Sequence, residues 1–236
     1  MVLSPHSLIR LNVNDDLLPK DSNQTMTWSS EKGTFQVHGP RLYLQASLDP
    51  VADLDLQAGR SIRPPGSPND DALVIEDVAP GRYWLRLTSS RGYVASASAG
   101  GVDLLHEPLV VSAGSTTADI AMRDDFAEVE GVLTNINGPL NANVTFGLGN
   151  PSAYIYFVPE SEGTGQYQQI IADAEGKFSS KNIAPGSYLV LAFKKQMNLP
   201  YEDSEAMRTY ESKGQKIQLA AGQKEKLELQ IISGNE

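Results

Sequence analysis

Apolar and polar residues alternate with a period of two along most of the chain, in short runs separated by Gly, Pro, Asn and Asp. In the first half these runs are SLIRLNV (7–13), TMTWS (25–29), FQVHGPRLYLQAS (35–47) and GYVASAS (92–98). In the second they are AEVEGVLTNI (127–136), NVTFGL (143–148), YIYFV (154–158) and YQQIIAD (167–173). Successive side chains of a strand point to opposite faces of its sheet, so the pattern predicts half-buried strands, and strands repeated every ~8–12 residues predict an all-β sandwich. Helical periodicity is nearly absent. The exception is EDSEAMRTYESKG (202–214), with Asp203 or Ser204 as N-cap and Gly214 as a stop, which predicts one short helix on a connection between strands. The proline-rich, acidic stretch 49–71 reads as a long exposed loop.

One strand-and-turn pattern occurs twice. DVAPGRYWL (77–85) and NIAPGSYLV (182–190) align Pro80 with Pro185, and Leu73 then falls where Phe178 falls. Near the end of each copy LVVSAGSTTADIAM (109–122) parallels IQLAAGQKEKLELQI (217–231), pairing Gly114 with Gly222. Two anchors at nearly constant offset predict two duplicated sandwich domains, residues 1–123 and 124–236, joined by a very short linker at Arg123-Asp124-Asp125. Within A-P-G-x-Y the proline fixes φ and the glycine can take the positive φ of a type II turn. In the strand that follows, Tyr83, Leu85 and Leu87 share one face and Trp84 and Arg86 the other. The tyrosine face is assigned to the core in both copies, with Tyr188 equivalent to Tyr83.

Composition supports two units and removes several functions. At 236 residues the chain exceeds a typical domain of about 100 to 150 residues, and 40% hydrophobic content can fill a core in each half. The net charge of −10 with dispersed basic residues argues against nucleic acid and anionic lipid as partners. No apolar run approaches the ~20 residues of a membrane helix. The start, MVLSPHSLIRLNV, does not read as a signal peptide. Cysteine is absent, which removes disulfides, thiolate metal sites and thiol nucleophiles.

The stretches VIEDVAPGRYWLRL (74–87), GYVASASAGGVDLLHEPLVV (92–111), EVEGVL (128–133), DAEGKFSSKNIAPGSYLVLAF (173–193) and YEDSEAMRTYESKGQKIQLAAG (201–222) carry a family resemblance. The chain resembles tandem carboxypeptidase regulatory-like domains, a prealbumin-like or transthyretin-like group, especially the tandem versions in large secreted proteins of soil bacteria such as acidobacteria. The resemblance implies two tandem antiparallel Ig-like or prealbumin-like β-sandwiches and a secreted, periplasmic or cell-surface location. No metallocarboxypeptidase catalytic domain is present, so no peptidase activity is implied. The first copy lacks the D-x-x-G-x-F hairpin of the second, reading DDAL over 70–73. Related collagen-adhesin B-type domains often close a Lys–Asn isopeptide bond, but neither SLIRLNV nor AEVEGVL holds a lysine, and that cross-link is not expected.

Candidate chemistry is sparse. His6, His38 and His106 lie far apart without metal-ligand spacing. Asp49, Asp53, Asp55, Asp70, Asp71, Asp124 and Asp125 lack the alternating calcium-loop pattern and read as solvated loops. Asp173 reads as bonded to its own turn. No nucleophile elbow or phosphate-binding loop occurs, so no catalytic residue, metal or cofactor is expected. The remaining binding hardware is aromatic: Trp84 with Arg86 on the presumed outer face of its strand, and Trp28 in a threonine-rich run, either of which could stack a sugar or simply cover the sheet. The expected function is a non-catalytic structural or interaction module, a spacer or scaffold meeting protein or polysaccharide at the cell envelope. A carbohydrate-binding module using exposed aromatics is the alternative.

Overall fold

The alternating runs become strands. The computed structural model describes residues 6–17, 24–30, 33–51, 60–134, 153–160, 166–201 and 203–232. The run 143–148, Asp53 and Asp55 lie outside them. The chain divides into two compact units, Met1–Asp124 and Asp125–Glu236.

The first unit contains β1 (Ser7–Asp16), β2 (Met26–Ser30), β3 (Gly33–Val37), β4 (Leu44–Pro50), β5 (Arg60–Ser61), β6 (Leu73–Val78), β7 (Gly81–Ser89), β8 (Tyr93–Ala99), β9 (Val102–Asp103), β10 (Leu109–Val111) and β11 (Ser115–Arg123). They form one sheet in the order β6-β1-β11-β8-β9, a second in the order β10-β7-β4-β5, and the separate hairpin β2-β3. Alternate residues of both sheets meet in one core. Ile9, Ile75, Ala118 and Ile120 come from the first sheet, and Leu48, Tyr83, Leu85 and Leu109 from the second.

The second unit contains β12 (Ala127–Thr134), β13 (Ala153–Pro159), β14 (Gln168–Ala172), β15 (Lys177–Ile183), β16 (Gly186–Phe193), α1 (Ser204–Glu211), β17 (Gln215–Leu219) and β18 (Lys224–Gln230). Its sheets run β15-β12-β18 and β14-β13-β16-β17. Their shared core includes Val129, Ile155, Phe157, Phe178, Tyr188 and Leu227. The strand orders of the two units correspond. β6-β1-β11 matches β15-β12-β18, and β10-β7-β4-β5 matches β17-β16-β13-β14. One difference lies between β7 and β10 in the first unit and between β16 and β17 in the second: the first unit inserts the β8-β9 hairpin, in which β8 pairs with β11, whereas the second inserts α1.

Asp203 caps α1 as the sequence allowed, its Oδ1 accepting from the N–H groups of Glu205 and Ala206, both at 3.0 Å. Met207 and Tyr210 of the helix lie over the outer face of β13 and β16, joining Tyr156, Leu191 and Phe193 in a second apolar cluster. β16 is therefore buried on both faces, as its unbroken run YLVLAF requires. Gly214 permits this close packing, since a Cβ there would stand 2.6 Å from Leu189 Cδ1 and 2.7 Å from Leu191 Cδ2.

Four expectations need correction. One sheet of each unit is mixed, not antiparallel: β1 pairs with β11 and β12 with β18 in parallel, because each unit's first and last strands come together in one sheet after the chain has passed through the other, whereas β10-β7-β4-β5 and β14-β13-β16-β17 are antiparallel throughout. The single run 35–47 is two strands, because Gly39 at φ +59° and Pro40, which lacks an N–H, break the ladder with a 3-10 turn. The described end of the 49–71 loop is tied down: β5 pairs with β4, Ile62 packs on the core, and Arg63 Nη1 lies 2.6 Å from Asp70 Oδ2. Asp70 is accordingly not a solvated acid, its side chain being 13% exposed. The Arg63 guanidinium and then the Gly66 N–H hold its carboxyl down to about 2.

Candidate functional site

The repeated A-P-G-x-Y motif has a specific physical content. Tyr83 Oη donates to Ala79 O at 2.9 Å, and Tyr188 Oη donates to Ala184 O at 2.5 Å. Each tyrosine reaches back across the turn that introduces its strand and satisfies the carbonyl before the proline. Both rings are buried in their cores, and Tyr188 Oη also accepts from the Gln166 N–H at 3.0 Å. Burial pushes the Tyr188 hydroxyl up to about 12. Just before each turn the ladder slips, between β1 and β6 in one unit and β12 and β15 in the other. The type II reading of the turn is corrected: Gly81 does not have positive φ, and Gly186 sits at φ 156° at the start of its strand.

The three singled-out binding residues do not converge. Trp84 and Arg86 do share the outer face of β7. The Arg86 guanidinium lies 5.9 Å from the centroid of the Trp84 ring, and its Nε is 3.2 Å from Asp49 Oδ2. Trp84 is half-buried. Trp28 stands in the separate β2-β3 hairpin opposite Phe35, 37% exposed. One indole thus carries a cation on its ring and the other belongs to a different sheet, so no joint aromatic platform forms.

The remaining polar groups pair locally. Each histidine lies against an aspartate: His6 with Asp77, His38 with Asp71, and His106 with Asp103. Asp173 Oδ1 accepts from the N–H groups of Glu175 and Lys177 at 3.0 and 2.7 Å, closing its own hairpin. Among the described residues no three His, Cys, Asp or Glu side chains gather as a metal site. An open groove over β12, β15 and β18 has one hydroxyl, Ser179, and no histidine in its lining to activate it. Among the described residues the buried polar side chains are Ser7 and Arg41. Arg41 Nη1 donates to Arg63 O at 2.9 Å and Nη2 to Ala72 O, clasping two loop carbonyls. Among the described residues no helix is long and apolar enough to cross a membrane.

The largest shared construction is at the termini of each unit. β1 runs parallel to β11 in a nine-residue ladder from Leu8–Ser115 to Asp16–Arg123. β12 runs parallel to β18 in a seven-residue ladder from Glu128–Lys224 to Thr134–Gln230. Side chains reinforce both: Asn12 Nδ2 donates to Asp119 Oδ1 at 2.8 Å, and Lys224 Nζ lies 3.0 Å from Glu128 Oε2. Two parallel neighbours begin at the same pole. Each unit's chain therefore enters at one pole, beside the start of its last strand, and leaves at the other.

No family model matches the chain. A search of curated proteins likewise returns no match. Among solved structures the chain is similar to the Bacillus anthracis TIE protein, at 9% identity and TM-score 0.27, covering 96% of this chain and 33% of that one. It is similar to a streptococcal ancillary pilin at 10% identity and TM-score 0.29, covering 97% of this chain and 63% of that one. It is similar to GBS52, the minor pilin of Streptococcus agalactiae, at 9% identity and TM-score 0.36, covering 99% and 98%. The chain thus spans about a third of the first and under two thirds of the second. Scores this low carry no argument about function.

Proposed function

We propose that the chain is a non-catalytic structural module, two related sandwich domains over residues 1–123 and 124–236, that acts as a spacer or scaffold in an exported or cell-surface bacterial protein. The observation that supports this is the parallel pairing of first and last strands in each unit. Tension applied through the chain pulls the start of one strand against the end of its neighbour, so the ladder's hydrogen bonds are loaded together in shear and not opened one by one. That is the geometry a tether uses. The exported location rests on the sequence resemblance to carboxypeptidase regulatory-like tandems, and the expected partner is another protein of the envelope. The sugar-binding alternative has less support, since Arg86 lies over the Trp84 ring and Trp28 stands apart.

Single-molecule pulling tests the reading. With handles at the two termini, the first unit's ladder is sheared. With handles at cysteines replacing Asp16 and Arg123, register partners at one end of the ladder, it is unzipped. The chain has no native cysteine to compete. The unfolding force of the first unit should be severalfold higher with terminal handles, and equal forces would overturn the load-bearing reading.

A further inference from the structure

The two ladders are not equally protected. In the first unit both terminal strands are interior: β1 lies between β6 and β11, and β11 between β1 and β8. Freeing either strand breaks two ladders. In the second unit β12 is interior, between β15 and β18, but β18 has β12 as its one sheet neighbour among the described residues. Among the described residues the place that β8 fills beside β11 has no counterpart in the second unit, where the corresponding insertion folds as α1 over the other sheet. The β12-β18 ladder is also shorter, seven residues against nine. Beyond β18 the chain crosses to the opposite sheet, where the Ile232 N–H donates to Ala192 O at 2.8 Å and a single parallel bridge joins Ile232 to Phe193. That bridge is loaded before the ladder and can be lost one bond at a time.

We infer that the second unit is the mechanical fuse of the pair: under tension through the full chain β18 shears off β12 and the second unit extends first, while the first unit stays folded. This rests on the load-bearing reading above. The asymmetry gives one chain two functions under force, an early-yielding segment that lengthens the tether and limits tension, and a late-yielding segment that keeps the connection.

The test uses the full-length chain with terminal handles and engineered disulfides. Register partners are close enough in a sheet for a disulfide to bridge them. Glu130→Cys with Lys226→Cys locks the second unit, and Asn12→Cys with Asp119→Cys locks the first. All four positions are exposed, and the reduced form of each variant is its own control. Should the first pair impair folding, Glu128→Cys with Lys224→Cys locks the same ladder one turn of the pleat away. Reduced protein should give two unfolding events at different forces. Oxidising the second-unit lock should remove the lower-force event and leave the higher, and oxidising the first-unit lock should remove the higher. The inference is overturned if the first-unit lock removes the lower event, or if both events occur at one force. Failure of the underlying reading looks different: forces would then match those of the unzipping geometry whichever event each lock removed.

Discussion

Replacing Tyr188 with Phe deletes one oxygen from a fully buried ring and leaves its packing in place. In the folded protein that oxygen donates to Ala184 O and accepts from the Gln166 N–H. Ala184 is 3% exposed, so its carbonyl loses a partner that water cannot replace, and stranding a buried acceptor costs about 1–3 kcal/mol. The same change at Tyr83 strands the carbonyl of Ala79, which is only half-buried and can recruit water, so about 0.5–1.5 kcal/mol is expected there. Both tryptophans, Trp28 and Trp84, lie in the first unit. Tryptophan emission during urea unfolding therefore follows the first unit alone, and far-UV circular dichroism follows both. Tyr83→Phe should move the emission midpoint. Tyr188→Phe should leave it in place and move the remaining dichroism transition by about 1 M urea, for a loss near 2 kcal/mol and an ordinary slope. Raising the pH adds a second reading. The Tyr188 hydroxyl sits at about 12 against 10.0 unfolded, so its stabilising contribution is complete below pH 10 and lost as pH rises through 12, about 3 kcal/mol in all. The wild-type second unit should lose stability across that window more steeply than Tyr188→Phe. A Tyr188→Phe cost no greater than that of Tyr83→Phe, with no difference in alkaline slope, would refute the argument from burial.

Asp70→Asn should destabilise the first unit by about 2 kcal/mol at neutral pH, because its carboxyl is held at about 2 against 3.8 unfolded; thermal melts should show the gap constant above pH 4 and closing as pH falls through 2. Gly131→Ala should cost the second unit about 1–3 kcal/mol, since its Cβ would stand 2.2 Å from Phe178 Cζ and 2.6 Å from the backbone oxygen of Leu227, measured by the same urea titration. Trp84→Ala should cost about 1–2 kcal/mol, from a half-buried ring and its Arg86 contact, and should leave electrophoretic mobility in soluble polysaccharides unchanged relative to wild type. Retention of the wild type but not of the folded variant would restore the sugar-binding reading.

Much of this architecture was legible because period-two patterning and turn residues are local. The phases of the β7 and β16 strands put Tyr83 and Tyr188 inward, and the pair Asp203 and Ser204 with Gly214 marked the helix, of which the structure selects Asp203 as the cap. What the tyrosines do there was not legible, since the acceptor four residues back is a backbone carbonyl that no side chain marks. The parallel terminal ladders were missed for a related reason: alternation states which face of a strand is buried and is silent on its neighbour. The doubly covered β16 left a signal that could have been read, because Leu189, Leu191 and Phe193 are as apolar as the opposing Tyr188, Val190 and Ala192. Arg63–Asp70 was hidden because the prolines and acids around it resemble a solvated loop. Trp84 could be phased outward, but its neighbour Asp49 arrives from β4 and only pairing shows it.

The edge of β18 that no other described strand covers also bears on how many copies of this protein can share a solution. An edge strand in general offers N–H and C=O groups on which another chain can add as a further strand. Its sequence, KEKLELQ, resists this: Leu227 and Leu229 turn to the core, while Lys224, Lys226 and Glu228 crowd the outer face with charge. Two such edges meeting would bring these charges out of water together, a deterrent to self-assembly that weakens as salt screens it.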